Sequence, residues 1–451
     1  MPSVNRFLEV IMGRSTTRGA AHRWKVLAVG VAANASFAAA LGGIPATGVL
    51  IRSHYRIGTG ELGVVLGMLG LGIVLGELPW GLLTDRWGDR RVLLTGLSTT
   101  ALALVAMAFW GAPAGAHTPS ATVLAAGLLA LGLFGASVNG SSGRAVMAWF
   151  AAHERGLAMS IRQTAVPAGG GLGALVLPAL AEHAGFAAVY GALAAMCMVS
   201  TVLTIVWLHE PVHEQDAARA PLVAHEAGAR AQRAVSPLRS VTVWRMVTGI
   251  GVLCIPQVAV LSFASIFLHD VGHAGTAAVS ATLAAVQGGA AFMRVYGGRW
   301  TDRHGGRRIW LRGCAGLTVA LFVVLAALTA FAWPAHRASA TFVTLLAVVI
   351  VPGGIAASAW HGVAFTELAL LAGNGRVGTA LAMGNTGAFV AFFVAPSAIP
   401  LLLSWFGWPA VWAAAALCAA LAWPAFAAPR ERSDAGRTGG SRQRARARAA
   451  V

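Results

Sequence analysis

From Val26 onward the sequence returns again and again to apolar stretches of roughly 20 residues, each long enough to cross a hydrocarbon layer about 30 Å thick as a helix. Such a layer offers no water to unpaired N–H and C=O groups, so a chain of this kind must satisfy its backbone inside helices or in a closed barrel. The alternating period of a membrane barrel is absent, which leaves helices. Only 11% of the 451 residues are charged, against roughly 25% in a soluble domain, and a water-soluble fold does not fit that balance. The expectation is an all-α membrane protein with twelve transmembrane helices, at 24–50, 61–83, 91–111, 120–146, 157–180, 187–208, 242–268, 276–298, 308–332, 340–367, 377–403 and 408–428.

The formal net charge of +17 would suggest nucleic acid as a partner in a soluble protein. Here the placement of the charges points to topology instead. Arg6, Arg14, Arg18, Arg23 and Lys25 precede the first span, Arg86, Arg90 and Arg91 follow the second, and Arg303, Arg307 and Arg308 follow the eighth. Loops on the other side carry only Arg52, Arg56 and Arg337, so the bias toward cytoplasmic basic residues puts both termini inside. The chain divides into a cytoplasmic segment 1–23, a six-helix bundle 24–208, a linker 209–241, a second bundle 242–428 and a basic tail 429–451. The tail reads as solvated, with contact to anionic headgroups as the other reading. Cys197, Cys254, Cys314 and Cys418 each fall within a span, where a thiol behaves as a small apolar group, and no disulfide is implied. The apolar run 26–50 is too long for the core of a cleaved signal peptide. Alanine-rich and arginine-rich usage suggests a bacterial inner membrane.

Internal repetition is the strongest feature beyond the spans. The segment from Gly81 through Asp85, Arg86, Gly88 and Arg90 to Arg91 is echoed from Gly298 through Asp302, Arg303, Gly305 and Arg307 to Arg308, at an offset of 217 residues. Gln163, Thr164, Pro178 and Gly185 map onto Asn385, Thr386, Pro400 and Gly407 at an offset of 222. Two six-helix halves related by an axis along the membrane normal are an architecture of alternating access. Gly81 and Gly298 permit close helix packing, and Asp85 and Asp302 are placed to pair with arginines or to sit at a helix N-terminus.

This duplicated Gly-x-x-x-Asp-Arg-x-Gly-x-Arg-Arg segment resembles the signature loop of the major facilitator superfamily, and the resemblance covers nearly the whole chain. In that family the loop acts as a breakable latch on the cytoplasmic side. The resemblance gives a latch of Gly81, Asp85, Arg86, Arg90, Arg91, Gly298, Asp302, Arg303, Arg307 and Arg308, with Arg144, Glu154 and Arg155 as candidate partners of Asp85.

Arg294 lies inside the eighth span, where an unpaired guanidinium costs several kcal/mol, so it must face a cavity or a partner. The stretch from Phe292 to Asp302 looks like the corresponding segment of nitrate porters, and more loosely of monocarboxylate and oxalate carriers, whose matching arginine binds the substrate anion. A planar fork of five donors suits a carboxylate or similar oxyanion. Glu77 occupies the equivalent place in the second span and is the candidate for proton coupling, released from Arg294 when substrate displaces it. The second-span arginine of nitrate porters and the first-span lysine of monocarboxylate carriers are missing, which disfavours nitrate and leaves an organic anion as the leading substrate class. Gln287 shares the helix face of Arg294. Asn34, Asn139, Gln163, Gln257, His361 and Asn385 lie in spans that line the cavity in this family. Arg162 and Glu367 are expected near cytoplasmic ends, snorkelling or holding the latch. Gly169, Gly170, Gly171 and Gly173 fit either a moving interface or tight packing.

Other chemistries are set aside. His209 to His213 matches a zinc-protease string, but Pro211 breaks the helix that would put both imidazoles on one face. His269 and His273 flank a glycine-containing external loop where a metal site is improbable, no phosphate-cradling glycine loop supports an ATP-driven pump, and neither a metal nor a cofactor is expected. Three classes remain: a monomeric anion symporter or antiporter, an exporter of amphipathic or drug-like compounds, and a membrane sensor that moves no solute. Arg294 favours the first.

Overall fold

The computed structural model describes residues 21–115, 118–209, 236–272, 276–332, 340–373 and 375–427. The basic segment before Ala21, most of the expected linker, the external loop holding Arg337, His273 and the tail lie outside those residues.

Twelve crossings follow one another as α1 His22–Ala46, α2 Thr59–Trp87, α3 Asp89–Ala106, α4 in two pieces Ala121–Gly135 and Ser137–Trp149, α5 and α6 within Arg155–Trp207, α7 Val241–Gly272, α8 Thr276–His304, α9 Arg307–Ala332, α10 in two pieces Ala340–Ser358 and His361–Ala372, and α11 and α12 within Val377–Ala422. The α5–α6 and α11–α12 corners are single glycines, Gly185 at φ 76° and Gly407 at φ 72°, a backbone region that only glycine enters without strain. These are the 222-residue equivalents seen in the sequence. The 217-residue repeat gives its own pair of corners, Gly88 and Gly305, also at positive φ. The expected first span runs on to residue 50, but α1 stops at Ala46, one residue past Pro45, and a short helix Gly48–Tyr55 follows.

Among the described residues nine helices are long and apolar enough to cross a membrane, two of them being the double lengths that contain α5–α6 and α11–α12. The crossing that falls short is α8. It carries Gln287 and Arg294, so its polarity marks a helix that faces something other than lipid.

Packing within each half is close. Gly169 and Gly173 of α5 press on the backbone of Ala35 and Ala39 in α1, and Gly170 meets Gly42, so three of the four glycines left open by the sequence serve contact inside one half. In the second half Gly251 of α7 meets the backbone of Gly387 in α11, the corresponding pair of helices. Buried polar caps fix the arginine-poor end of the first half, where Tyr55 Oη donates to the Gly111 carbonyl at 2.7 Å and lies 2.8 Å from Tyr190 Oη.

Candidate functional site

Each half contributes a helix whose inner face changes character along its length. On α2, Gly63, Gly67 and Gly70 have no atom within 4 Å of where a Cβ would stand, whereas Gly81 lies against Ala382 and the Gly378 carbonyl of the other half. On α8, Gly288 is equally open and Gly298 lies against Gly156 and Ser160 of the other half. The halves therefore touch at the arginine-rich end and stand apart toward the other. Between the open and closed stretches, at equivalent heights, sit Glu77 and Arg294.

Both are buried, with 1% and 3% of their surface exposed, and Arg162 of α5 joins them at 2%. Arg162 donates from Nε to Ser142 Oγ at 2.9 Å and from Nη2 to Asn34 Oδ1 at 3.3 Å and to the Asn139 carbonyl. Asn34 also donates to Ser142 Oγ at 3.0 Å. Asn139 donates to Glu77 Oε1, while Glu77 Oε2 is buried without a partner among the described residues. Asn385 of α11 approaches the same carboxylate from the opposite half.

Arg294 is held by carbonyls: Nε donates to Ser358 at 2.8 Å and Nη1 to Gln163 at 3.1 Å, the latter across the seam. His361, one turn on, points Nδ1 at the same Ser358 carbonyl at 3.2 Å and stacks on Trp360 at 3.8 Å. Cys254 and His361 are the electrostatic neighbours of Arg294, and the Cys254 thiol is directed at Gln257 Oε1 at 3.6 Å. Asn139 and His361 are themselves 222 residues apart, and each follows the interruption in its helix, at Ala136 in α4 and at 359–360 in α10. Discontinuous helices turn backbone carbonyls toward a central chamber, as in other membrane carriers.

The structure thus gathers Asn34 and Asn139 round Arg162, Asn139 and Asn385 at Glu77, and the Gln163 carbonyl and His361 round Arg294, with Gln257 reached through Cys254. No hydrogen bond or ion pair among the described residues links Gln287 to either group, although it lies on the same helix face as Arg294. Two expectations need correcting. Glu77 does not neutralise Arg294; its charged neighbour is Arg162. Arg162 does not snorkel at the rim, because seven residues beyond Arg155 carry it about 10 Å inward along the helix. None of the ion pairs among the described residues includes Arg162 or Arg294. Ser142, Ser358 and Cys254 were missed; the small polar run from Ser137 to Gly143 was the available signal for the first.

At the arginine-rich end, Asp85 accepts from Gly378 N at 2.7 Å, Thr379 N at 2.8 Å and Thr379 Oγ1 at 2.6 Å, capping the start of α11. Asp302 accepts from Gly156 N at 3.0 Å and Leu157 N at 2.8 Å at the start of α5, and from Arg307 at 3.2 Å. Carboxylates at helix N-termini are favoured by free N–H groups and the helix dipole. Of the partners expected for Asp85, Arg144 lies in its electrostatic reach and 3.9 Å from Asp89, whereas Glu154 pairs with Arg23 at 2.7 Å and Arg155 donates to the Phe150 carbonyl. Arg90 donates to the Ile205 carbonyl and Arg308 pairs with Glu367 at 2.7 Å, both inside a half. The described residues include no group of three metal ligands.

The sequence model of the Major Facilitator Superfamily matches residues 26–335. Uncharacterized MFS-type transporters from two strains of Mycobacterium tuberculosis are each 30% identical over 410 residues, covering 89% of this chain and 84% of the relative. Among solved structures, the proton:xylose symporter XylE bound to 6-bromo-6-deoxy-D-glucose superposes with a TM-score of 0.70 at 16% identity, over 90% of this chain and 95% of that one. FucP in the outward conformation gives 0.65 at 12% identity, over 89% and 97%. Both likenesses concern the fold.

Proposed function

This chain belongs to the major facilitator superfamily, a multi-pass membrane transporter and not an enzyme, and we propose that the solute it carries is a small organic anion. The observation that carries this reading is the charge of the central layer: two buried guanidiniums, Arg162 and Arg294, against one buried carboxylate, Glu77. Each guanidinium has five N–H donors. Arg294 spends two on protein carbonyls and Arg162 spends three on its neighbours, so donors remain for an oxyanion arriving from the open side. In a water-poor chamber such pairing is stronger than at a surface.

The arginine-rich face is cytoplasmic in this reading, with both termini inside a bacterial inner membrane, and the arrangement described is open to the outside. Substrate enters between α2 and α8 and settles between Arg294 and Arg162, within reach of Asn34, Asn139, Gln163, Gln257, His361 and Asn385. Glu77 Oε2, which has no hydrogen-bond partner among the described residues, takes a proton as the anion binds, so that the carboxylate does not repel it. The Asp85 and Asp302 contacts then break as the outer side closes.

A thermal-shift series on the purified protein with carboxylates, other oxyanions and lipophilic cations tests the assignment. Acids raise the midpoint, and Arg294→Ala removes the response; stabilisation by cations in preference to acids would overturn it. In proteoliposomes Glu77→Gln abolishes uptake driven by a pH gradient and spares exchange. Unaltered pH-driven uptake would remove Glu77 from the coupling step.

A further inference from the structure

Two cavities lie away from the central layer, on one side of the molecule, and share a residue. The first, of about 560 Å³, is lined by Leu82, Asp85, Arg86, Ser236 to Arg239, Gly375, Arg376 and Thr379. Its floor is the 3-10 turn Pro237–Arg239, which the Trp244 indole fixes by donating to the Leu238 carbonyl at 2.8 Å. Three guanidiniums border it, and none has an ion pair or side-chain hydrogen bond among the described residues. The single carboxylate there, Asp85, is already occupied by the start of α11.

The second cavity, of about 370 Å³, begins at the same Leu238 and runs along α7 and α11 past Val247, Val252, Ile255, Val390 and Val394, with Leu78 of α2 on its far side. Its lining is apolar apart from Thr248 and Thr386. Trp244 stands at the junction, 48% exposed, where tryptophans of membrane proteins meet the headgroup level. A cationic bowl at the interface continuous with an apolar groove below it has the shape and polarity of one kind of molecule.

We propose that this seam binds an anionic phospholipid, with the phosphodiester among Arg86, Arg239 and Arg376 and an acyl chain in the groove between α2, α7 and α11. The site is independent of which solute the chamber takes. Because Arg86 belongs to one half, Arg376 to the other and Arg239 to the end of the linker that leads into the second, the bound lipid bridges the seam beside the Asp85 contacts and favours the state in which they are made.

The test is native mass spectrometry of the full chain with phosphatidylglycerol or phosphatidylcholine at matched concentration. The intact protein retains phosphatidylglycerol and sheds phosphatidylcholine. Arg239→Gln with Arg376→Gln weakens retention about 30-fold, from roughly a kilocalorie per basic residue near an anionic surface. The pair Arg52→Gln with Arg56→Gln, at the arginine-poor end, leaves it unchanged. Thr248→Phe, an exposed position in the groove, lowers retention without touching a charge. Equal retention of the two lipids by the unaltered chain, or full retention by the Arg239 and Arg376 variant, overturns the proposal. So does stabilisation by glycerol phosphate equal to that by the lipid, which would mark a soluble anion site instead.

Discussion

The two seams at the arginine-rich end are built from equivalent residues and closed by different chemistry. In the seam between α2 and α11, all three contacts of Asp85 reach the opposite half, and one of them is the Thr379 hydroxyl. In the seam between α8 and α5 the position equivalent to Thr379 is Leu157, and the third contact of Asp302 comes from Arg307 in its own half. Every hydrogen bond of the first carboxylate holds the halves together, with Arg144 of its own half in electrostatic reach. The second divides its charge between the seam and Arg307 at the start of α9, in its own half. A repeat in sequence therefore fixes where a contact forms without fixing how strong it is, because strength depends on single side chains facing it.

Closure can be followed through the alkylation rate of Ser160→Cys in a background free of the four natural cysteines, since Ser160 is buried in the shut seam. The largest effect is expected of bulk. Gly298→Leu places its Cβ against the Gly156 carbonyl, and Gly81→Leu against Ala382, so either variant holds the seam open and abolishes transport. Normal transport with either would break the equivalence of the seams. Next comes charge: Asp85→Asn raises alkylation about a hundredfold and Asp302→Asn about tenfold, half as much on a free-energy scale, given roughly 1.5–3 kcal/mol for hydrogen bonds to a charged group. A larger effect of Asp302→Asn would reverse the comparison. The smallest change is Thr379→Val, about fivefold for one neutral donor worth roughly 1 kcal/mol, with Leu157→Thr shifting the rate in the opposite direction.

How much of this was legible in the sequence depended on the distance over which a residue acts. Helix spans and repeats are local, and the glycine corners at 185 and 407 stand where the offset of 222 puts them. Asp85 and Asp302 were assigned to the latch, but which helix each would cap was not readable, since Gly378 and Gly156 lie 293 and 146 residues away. Arg162 was misplaced because its charged neighbours in sequence, Glu154 and Arg155, stand at the very start of α5, whereas its neighbours in space are Asn34, Ser142 and Asn139 from α1 and α4. The interruptions of α4 and α10 escaped notice for a related reason. An apolar helix with one irregular turn has nearly the same composition as a regular one, and only the carbonyls it turns toward the arginines give the break its purpose.

The pairing of Gly81 with Gly378 and of Gly298 with Gly156 bears on how fast this carrier can cycle. Surfaces made of bare main chain carry no interlocking knobs, so they part without any rotamer having to move and leave no unfilled hollow behind. Cohesion is thereby delegated to a few carboxylates, whose attraction fades over a short distance as water enters. Separation of this sort is abrupt and easily reversed, which suits a machine that must repeat it at every turnover.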